Sequence, residues 1–272
     1  MTDAQILAKL STIRCFLLDM DGTFYLGDKL IDGSLDFLKA LEETGRTARF
    51  LTNNSSKSAS VYHQKLLRMG VDERYCDVIT SGHAAAHYCL KRFPGQKAYL
   101  LGTPMLREEL LGTGLTLTEA DPDYVIVAFD TTLDYAKMAR VCDLIRAGLP
   151  YIATHPDFNC PTETGFIPDM GAIMAFIKAS TGRDADIILG KPNRGIVDEA
   201  LMRTGVQLSE AAMVGDRLYT DVRTGVDHGM TGILVLSGEA TMKDVAESTV
   251  KPDLIFGRLS DMIPYLRQRP MD

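Results

Sequence analysis

Short apolar runs alternate with amphipathic stretches along all 272 residues, and this alternation most narrows the folds open to the chain. Runs at 13–18, 48–51, 77–80, 98–101, 124–128, 151–153, 187–189, 212–214, 232–236 and 253–256 read as buried strands. Stretches at 34–43, 59–69, 84–92, 133–147, 171–181, 194–203 and 220–228 read as helices. Parallel strands need a long crossover connection, and a helix is the usual one. The expected fold class is therefore α/β, a doubly wound parallel sheet with helices on both faces. Leu35, Leu38, Ala40 and Leu41 give the first helix an apolar stripe, and Gly45 stands where that helix should stop. Gly27-Asp28, inside 24–30, reads as the turn of a small β-hairpin.

In an open α/β sheet, ligands bind beyond the carboxyl ends of the strands. Asp19 and Asp21 stand at such an end, after 13–18 and before Gly22-Thr23. One Asp there is an ordinary turn former, but two in alternate positions make a paired-carboxylate reading the better one. Three further motifs follow apolar runs in the same way. Thr52-Asn53-Asn54-Ser55-Ser56 follows 48–51, Gly190-Lys191-Pro192 follows 187–189, and Gly215-Asp216 with Asp221 follows 212–214. All four are expected to meet on one rim of one sheet. Together they supply what phosphoryl chemistry requires: a cation, a loop donating to phosphate oxygens, and carboxylates to hold a metal. The loop at Asn53 and Asn54 runs towards a helix near Ala59, where unpaired N–H groups suit an anion, although such residues are also ordinary capping chemistry.

Other motifs exclude chemistry. Gly190-Lys191 is not a nucleotide-binding P-loop, since Pro192 occupies the Ser/Thr place. Gly112-Thr113-Gly114 lacks the third glycine of a dinucleotide fingerprint and reads as a turn. A formal net charge of −7 without a Lys/Arg cluster argues against nucleic acid. No apolar run approaches the roughly 18 residues of a membrane span, and residues 1–12 lack a signal-peptide core. Cytoplasmic localisation is expected. Cys15, Cys76, Cys89, Cys142 and Cys160 are scattered and odd in number, which suits reduced core thiols. His63, His83, His87 and His228 read as single surface or core histidines.

With these motifs in place, the chain resembles haloacid-dehalogenase (HAD) superfamily phosphatases, near the NagD and 4-nitrophenylphosphatase group. The signature is D-x-D-G-[TV], a Thr or Ser after the second strand, a Lys, and G-D-x-x-x-x-D; Thr154-His155-Pro156-Asp157 and Gly190-Lys191-Pro192 look similar too. The resemblance implies a Mg²⁺-dependent phosphomonoester hydrolase of small phosphorylated metabolites, of the nucleotide, sugar phosphate or 4-nitrophenyl phosphate type. It implies Asp19 as nucleophile, forming an aspartyl phosphate, and Asp21 as general acid and then base. Thr52, Asn53 and Asn54 would take phosphate oxygens, and Lys191 would neutralise charge. Asp19, the Asp21 carbonyl and Asp216 would hold Mg²⁺, an oxygen-seeking ion, with Asp221 behind them orienting Lys191 or a bound water.

The motifs lie before about residue 82 or after about 185, so the middle reads as an insertion. The family's large α/β cap would then occupy 83–182, between the core segments 1–82 and 183–272. His155 and Asp157, in the loop after 151–153, are expected to contact substrate, against the plain alternative of a Pro-Asp turn. Oligomeric state is left open, with a homodimer through the cap as the arrangement to test. A phosphotransferase would use the same motifs. A signalling receiver domain fits less well, because it lacks the motif order and the insertion.

Overall fold

The computed structural model describes residues 1–162 and 164–268. Its strands are β1 (Cys15–Leu18), β2 (Tyr25–Leu26), β3 (Lys29–Leu30), β4 (Thr47–Thr52), β5 (Val78–Thr80), β6 (Lys97–Leu101), β7 (Thr116–Leu117), β8 (Tyr124–Val127), β9 (Tyr151–Ala153), β10 (Asn159–Thr162), β11 (Gly165–Pro168), β12 (Ile187–Ile188), β13 (Ala211–Gly215), β14 (Thr231–Val235) and β15 (Leu254–Phe256).

Two sheets result. The first has the order β15-β14-β13-β1-β4-β5, and the second β12-β9-β8-β6-β7. In the first, β1 pairs in parallel with both β13 and β4, and β13 to β15 are parallel as well. In the second, β6 pairs in parallel with β7 and β8, and β9 with β8 and β12. Every residue of β1 is buried, as expected for a parallel strand covered on both faces. The doubly wound expectation therefore holds twice over. In each sheet the strand order reverses once: between β1 and β13 in the first, and between β6 and β8 in the second.

The chain divides into two compact units, one of Met1–Thr52, Tyr62–Val78 and Ala200–Asp272, the other of Asn53–Val61 and Ile79–Glu199. This corrects one expectation. The run at 187–189 was expected on the same sheet as the other motifs, yet Ile187 and Ile188 pair with Ile152 and Ala153. The strand before Lys191 thus belongs to the second sheet, and the second unit reaches beyond residue 182 on one side and takes in the loop after Thr52 on the other.

In the first unit, Phe16 meets Phe37 edge to face with ring centroids 5.5 Å apart, and Phe24 meets Phe50 at 4.8 Å. Phe37, Leu38, Ala40 and Leu41 form the buried face of helix Ser34–Glu43, whereas Leu35 is exposed; the stripe is rotated by part of a turn from the expected one. Gly45, at φ +70°, follows the end of this helix in the left-handed conformation expected of a C-terminal stop. In the second unit, Tyr99, Leu101, Val125, Val127, Tyr151 and Ile177 belong to one core cluster. Four cysteines are buried, but Cys160 is only partly so. Among the described residues, no helix is long and apolar enough to cross a membrane.

Candidate active site

The switch point of the first sheet carries the acidic residues. Leu18 pairs with Val214, and the Asp19 N–H donates to the Val214 carbonyl at 2.9 Å. Asp19 and Asp216 therefore leave neighbouring strands where their two crossovers diverge, the place where an open sheet offers a crevice. Thr52 ends β4 on the other side of β1, two residues beyond Phe50, the partner of Leu18. Thr52 is buried at this rim, whereas Asp19 is partly exposed.

Asp216 is buried, and its Oδ2 accepts the N–H of Glu239 at 2.7 Å. Its Oδ1 is buried without a hydrogen-bond partner. The carboxylate sits between two glycines, because a Cβ on either Gly22 or Gly238 would overlap it. Gly22 also has φ +84°, a conformation that glycine adopts at no steric cost. Asp221 lies in a π-helical turn, Leu218–Val222, where the sequence suggested regular helix. It is fully buried against Gly215, and its Oδ2 accepts the Arg217 N–H at 3.2 Å.

One oxygen from each of Asp19, Asp216 and Asp221 lies within 4.8 Å of the other two. Burial, and then the charge of Asp19, push the Asp216 carboxyl up to about 6, against the Glu239 N–H and the Arg217 charge. An unpaired, buried carboxylate oxygen beside a second carboxylate is stabilised by a cation. The all-oxygen donor set fits a hard ion such as Mg²⁺. Asp221 therefore stands inside the group of carboxylates within reach of one ion, whereas the sequence suggested a place behind it.

Asp21 begins the flap. The Gly22 N–H donates to the Tyr25 carbonyl at 2.8 Å, and Asp21 and Tyr25 form an isolated bridge. β2 and β3 then pair antiparallel around Gly27, at φ +57°, as the Gly-Asp turn predicts. Asp21 as a residue is exposed, yet partial loss of solvent raises its carboxyl pKa. Lys65 pulls it back, Asp19 pushes it further up, and the Gly27 N–H and Arg217 lower it.

The remaining sequence-picked residues gather in the second unit, beyond the ends of β9 and β12. Asn53 braces Lys191: the Lys191 N–H donates to Asn53 Oδ1 at 2.6 Å, and Asn53 Nδ2 donates to the Lys191 carbonyl at 2.9 Å. The same Nδ2 lies 3.1 Å from Asp157 Oδ2. Asn54 closes an Asx turn, its Oδ1 accepting the N–H and hydroxyl of Ser56 at 2.9 and 2.7 Å. Both Asn side chains thus shape the loop. Gly190 packs so tightly that a Cβ would come within 2.6 Å of Asn53 Oδ1, and the Lys191–Pro192 peptide is cis.

His155 corrects an expectation. It is wholly buried; its Nε2 lies 2.9 Å from Asp169 Oδ1, and its Nδ1 lies 3.0 Å from the Thr154 hydroxyl. Both ring nitrogens are committed inside the unit. Asp169 also accepts the Met170 N–H at 2.6 Å, capping helix Met170–Thr181. His155 therefore ties the loop after β9 to that helix.

Sequence reasoning passed over Arg217. Its Nε lies 2.9 Å from Glu239 Oε2, and its charge acts on both Asp21 and Asp216. It occupies an unspecified position of G-D-x-x-x-x-D, so the motif gives no signal for it.

Residues 16–116 match the model of the haloacid dehalogenase-like hydrolases, and residues 188–262 match the HAD-hydrolase-like model. An acid sugar phosphatase of Staphylococcus aureus (strain MRSA252) is 36% identical over 256 residues, covering 94% of this chain and 98% of its own. The crystal structure of 4-nitrophenylphosphatase from Thermotoga maritima superposes with a TM-score of 0.91 at 48% identity, covering 94% of this chain and 98% of that one. NagD from E. coli K-12 gives 0.84 at 31% identity, covering 92% and 98%. The chain belongs to the haloacid dehalogenase-like hydrolases. Within them it is a phosphatase of the NagD-like group, and its fold is the HAD fold with a cap domain.

Proposed function

We propose that this phosphatase is a Mg²⁺-dependent phosphomonoester hydrolase acting on small organic phosphates, sugar phosphates and 4-nitrophenyl phosphate among them, through an aspartyl phosphate on Asp19. The observation that carries the reading is the convergence of Asp19, Asp216 and Asp221 at the switch point, with one Asp216 oxygen buried and unpaired. The names of the similar phosphatases support the substrate class.

The Asp19 carboxylate attacks phosphorus, and the bond to the leaving oxygen breaks as Asp21 gives that oxygen a proton. Asp21 then takes a proton from water, which attacks the aspartyl phosphate and frees Asp19. Thr52 donates its hydroxyl to a phosphate oxygen, and Lys191 offsets the charge of the transferring group. Asp19, Asp216 and Asp221, with the Asp21 carbonyl, form the oxygen set for Mg²⁺, which when bound supplies charge neutralisation for a dianionic substrate. Residues 83–182 serve in this reading as the cap that selects substrate, a role supported by their place between the motifs.

Phosphate release from 4-nitrophenyl phosphate with Mg²⁺ and with EDTA tests the metal dependence, and full turnover in chelator refutes it. Acid-quenched protein examined by mass spectrometry is expected to carry phosphate on the Asp19 peptide. A label elsewhere overturns the nucleophile. Phosphate passed to an added sugar hydroxyl would make the enzyme a transferase instead.

A further inference from the structure

The flap after Asp21 has strands of only two residues each, with Leu26 largely exposed. A lone hairpin of that size is barely stable in water, so another part of the unit has to hold it. Lys65, on helix Ala59–Arg68, makes three contacts with it. Its Nζ donates to the Gly27 carbonyl at 2.7 Å, lies 4.0 Å above the Tyr25 ring centroid, and pairs with Asp28 at 3.4 Å. Tyr25 is buried, so the cation–π contact is largely shielded from water, while exposed Asp28 adds little. Tyr25, under the Lys65 ammonium, is also tied to the backbone at Asp21: the Gly22 N–H donates to the Tyr25 carbonyl at 2.8 Å, and Asp21 and Tyr25 form an isolated bridge. Lys65 thus holds the flap at Gly27 and at Tyr25, and Tyr25 is bridged to Asp21.

We propose that Lys65 is a positioning residue for the phosphatase reaction: by clamping the turn at Gly27 it holds the flap whose backbone orients Asp21. The inference rests on the reading of Asp21 as proton donor to the leaving group. Nitrophenolate departs without a proton, whereas a sugar alkoxide needs one. Loss of the clamp therefore harms the two substrates unequally.

The test compares wild type, Lys65→Met and Lys65→Arg on a sugar phosphate and on 4-nitrophenyl phosphate, with amide exchange followed over residues 22–30. Lys65→Met is expected to lower kcat on the sugar phosphate about tenfold more than on 4-nitrophenyl phosphate, within the loss that small misplacements cause. It should also speed exchange in the flap, and Lys65→Arg should restore most of both. Equal losses on the two substrates, or flap exchange unchanged in Lys65→Met, overturn the proposal. A wild type that releases phosphate from neither substrate would instead sink the phosphatase reading, and the exchange experiment would still decide the clamp.

Discussion

Asn53 and Lys191, 138 positions apart in sequence, are joined twice by side-chain to backbone hydrogen bonds, at 2.6 and 2.9 Å. The Asn amide offers one acceptor and one donor, and the Lys191 peptide uses both. Asn53→Ala leaves buried peptide groups unsatisfied, which costs about 1–3 kcal/mol. Asn53→Asp keeps the acceptor but sets a carboxylate against the Lys191 carbonyl and Asp157. Both variants should melt earlier and lose up to about 10²-fold in kcat as Lys191 is displaced. Thermal unfolding beside steady-state kinetics checks this, and a wild-type kcat in either variant would rule the brace out.

The burial of His155 makes a prediction opposite to substrate selection. His155→Ala removes the partner of Asp169 and Thr154 and leaves a cavity, with an expected cost of about 3 kcal/mol. Turnover should fall by the same factor on sugar phosphates and on acetyl phosphate. A change in substrate preference without loss of stability would return His155 to a recognition role.

Asp216 sets a pH dependence. Its folded pKa, about 6, lies above the ordinary 3.8, so between these values the folded state binds more protons than the unfolded one. Metal-free protein should therefore lose stability as pH rises through this window and keep the penalty above it. A cation that needs the ionised carboxylate relieves that penalty, so the Mg²⁺-induced rise in Tm should shrink as pH falls below about 6. In Asp216→Asn the slope and most of the Mg²⁺ response should vanish together. Melting curves at several pH values, with Mg²⁺ and with EDTA, decide it.

Two glycines separate crowding from backbone strain. A methyl group on Gly238 would enter the Asp216 carboxylate, whereas one on Gly27 meets nothing within 4 Å and suffers only from φ +57°. Gly238→Ala should lose about 10²-fold or more in turnover by displacing the Asp216 carboxylate. Gly27→Ala should cost about 1–2 kcal/mol in stability through its left-handed backbone. If Gly238→Ala kept full turnover, the tight seat of Asp216 would have no functional weight.

The strands and the acidic motifs were legible because buried parallel strands are apolar throughout, and because a D-x-D pair and a G-D step mark where they end. The assignment of 187–189 to a sheet was not, since a short apolar run says nothing about its partner, and Ile187 finds Ile152 only in three dimensions. The β10–β11 hairpin escaped notice because Pro161 and Pro168 count against a strand. Helix Pro104–Gly112 was within reach, with Thr103 as N-cap and Pro104 in its first turn. Asp19, Asp21, Asp216 and Asp221 could be picked from spacing and resemblance, but the enclosure of His155 and the reach of Lys65 to Gly27 depend on distant packing that no local pattern encodes.

The pairing of β12 with β9 also bears on how this chain can be recombined with others. A chimera cut at residue 182 would strip the second sheet of its last strand and bare the edge of β9, an invitation to intermolecular strand pairing. A graft that respects the architecture carries Ile79–Glu199 together with Asn53–Val61. Lys191 and its Asn53 brace would then travel with the transplanted piece, while the carboxylates stay with the host.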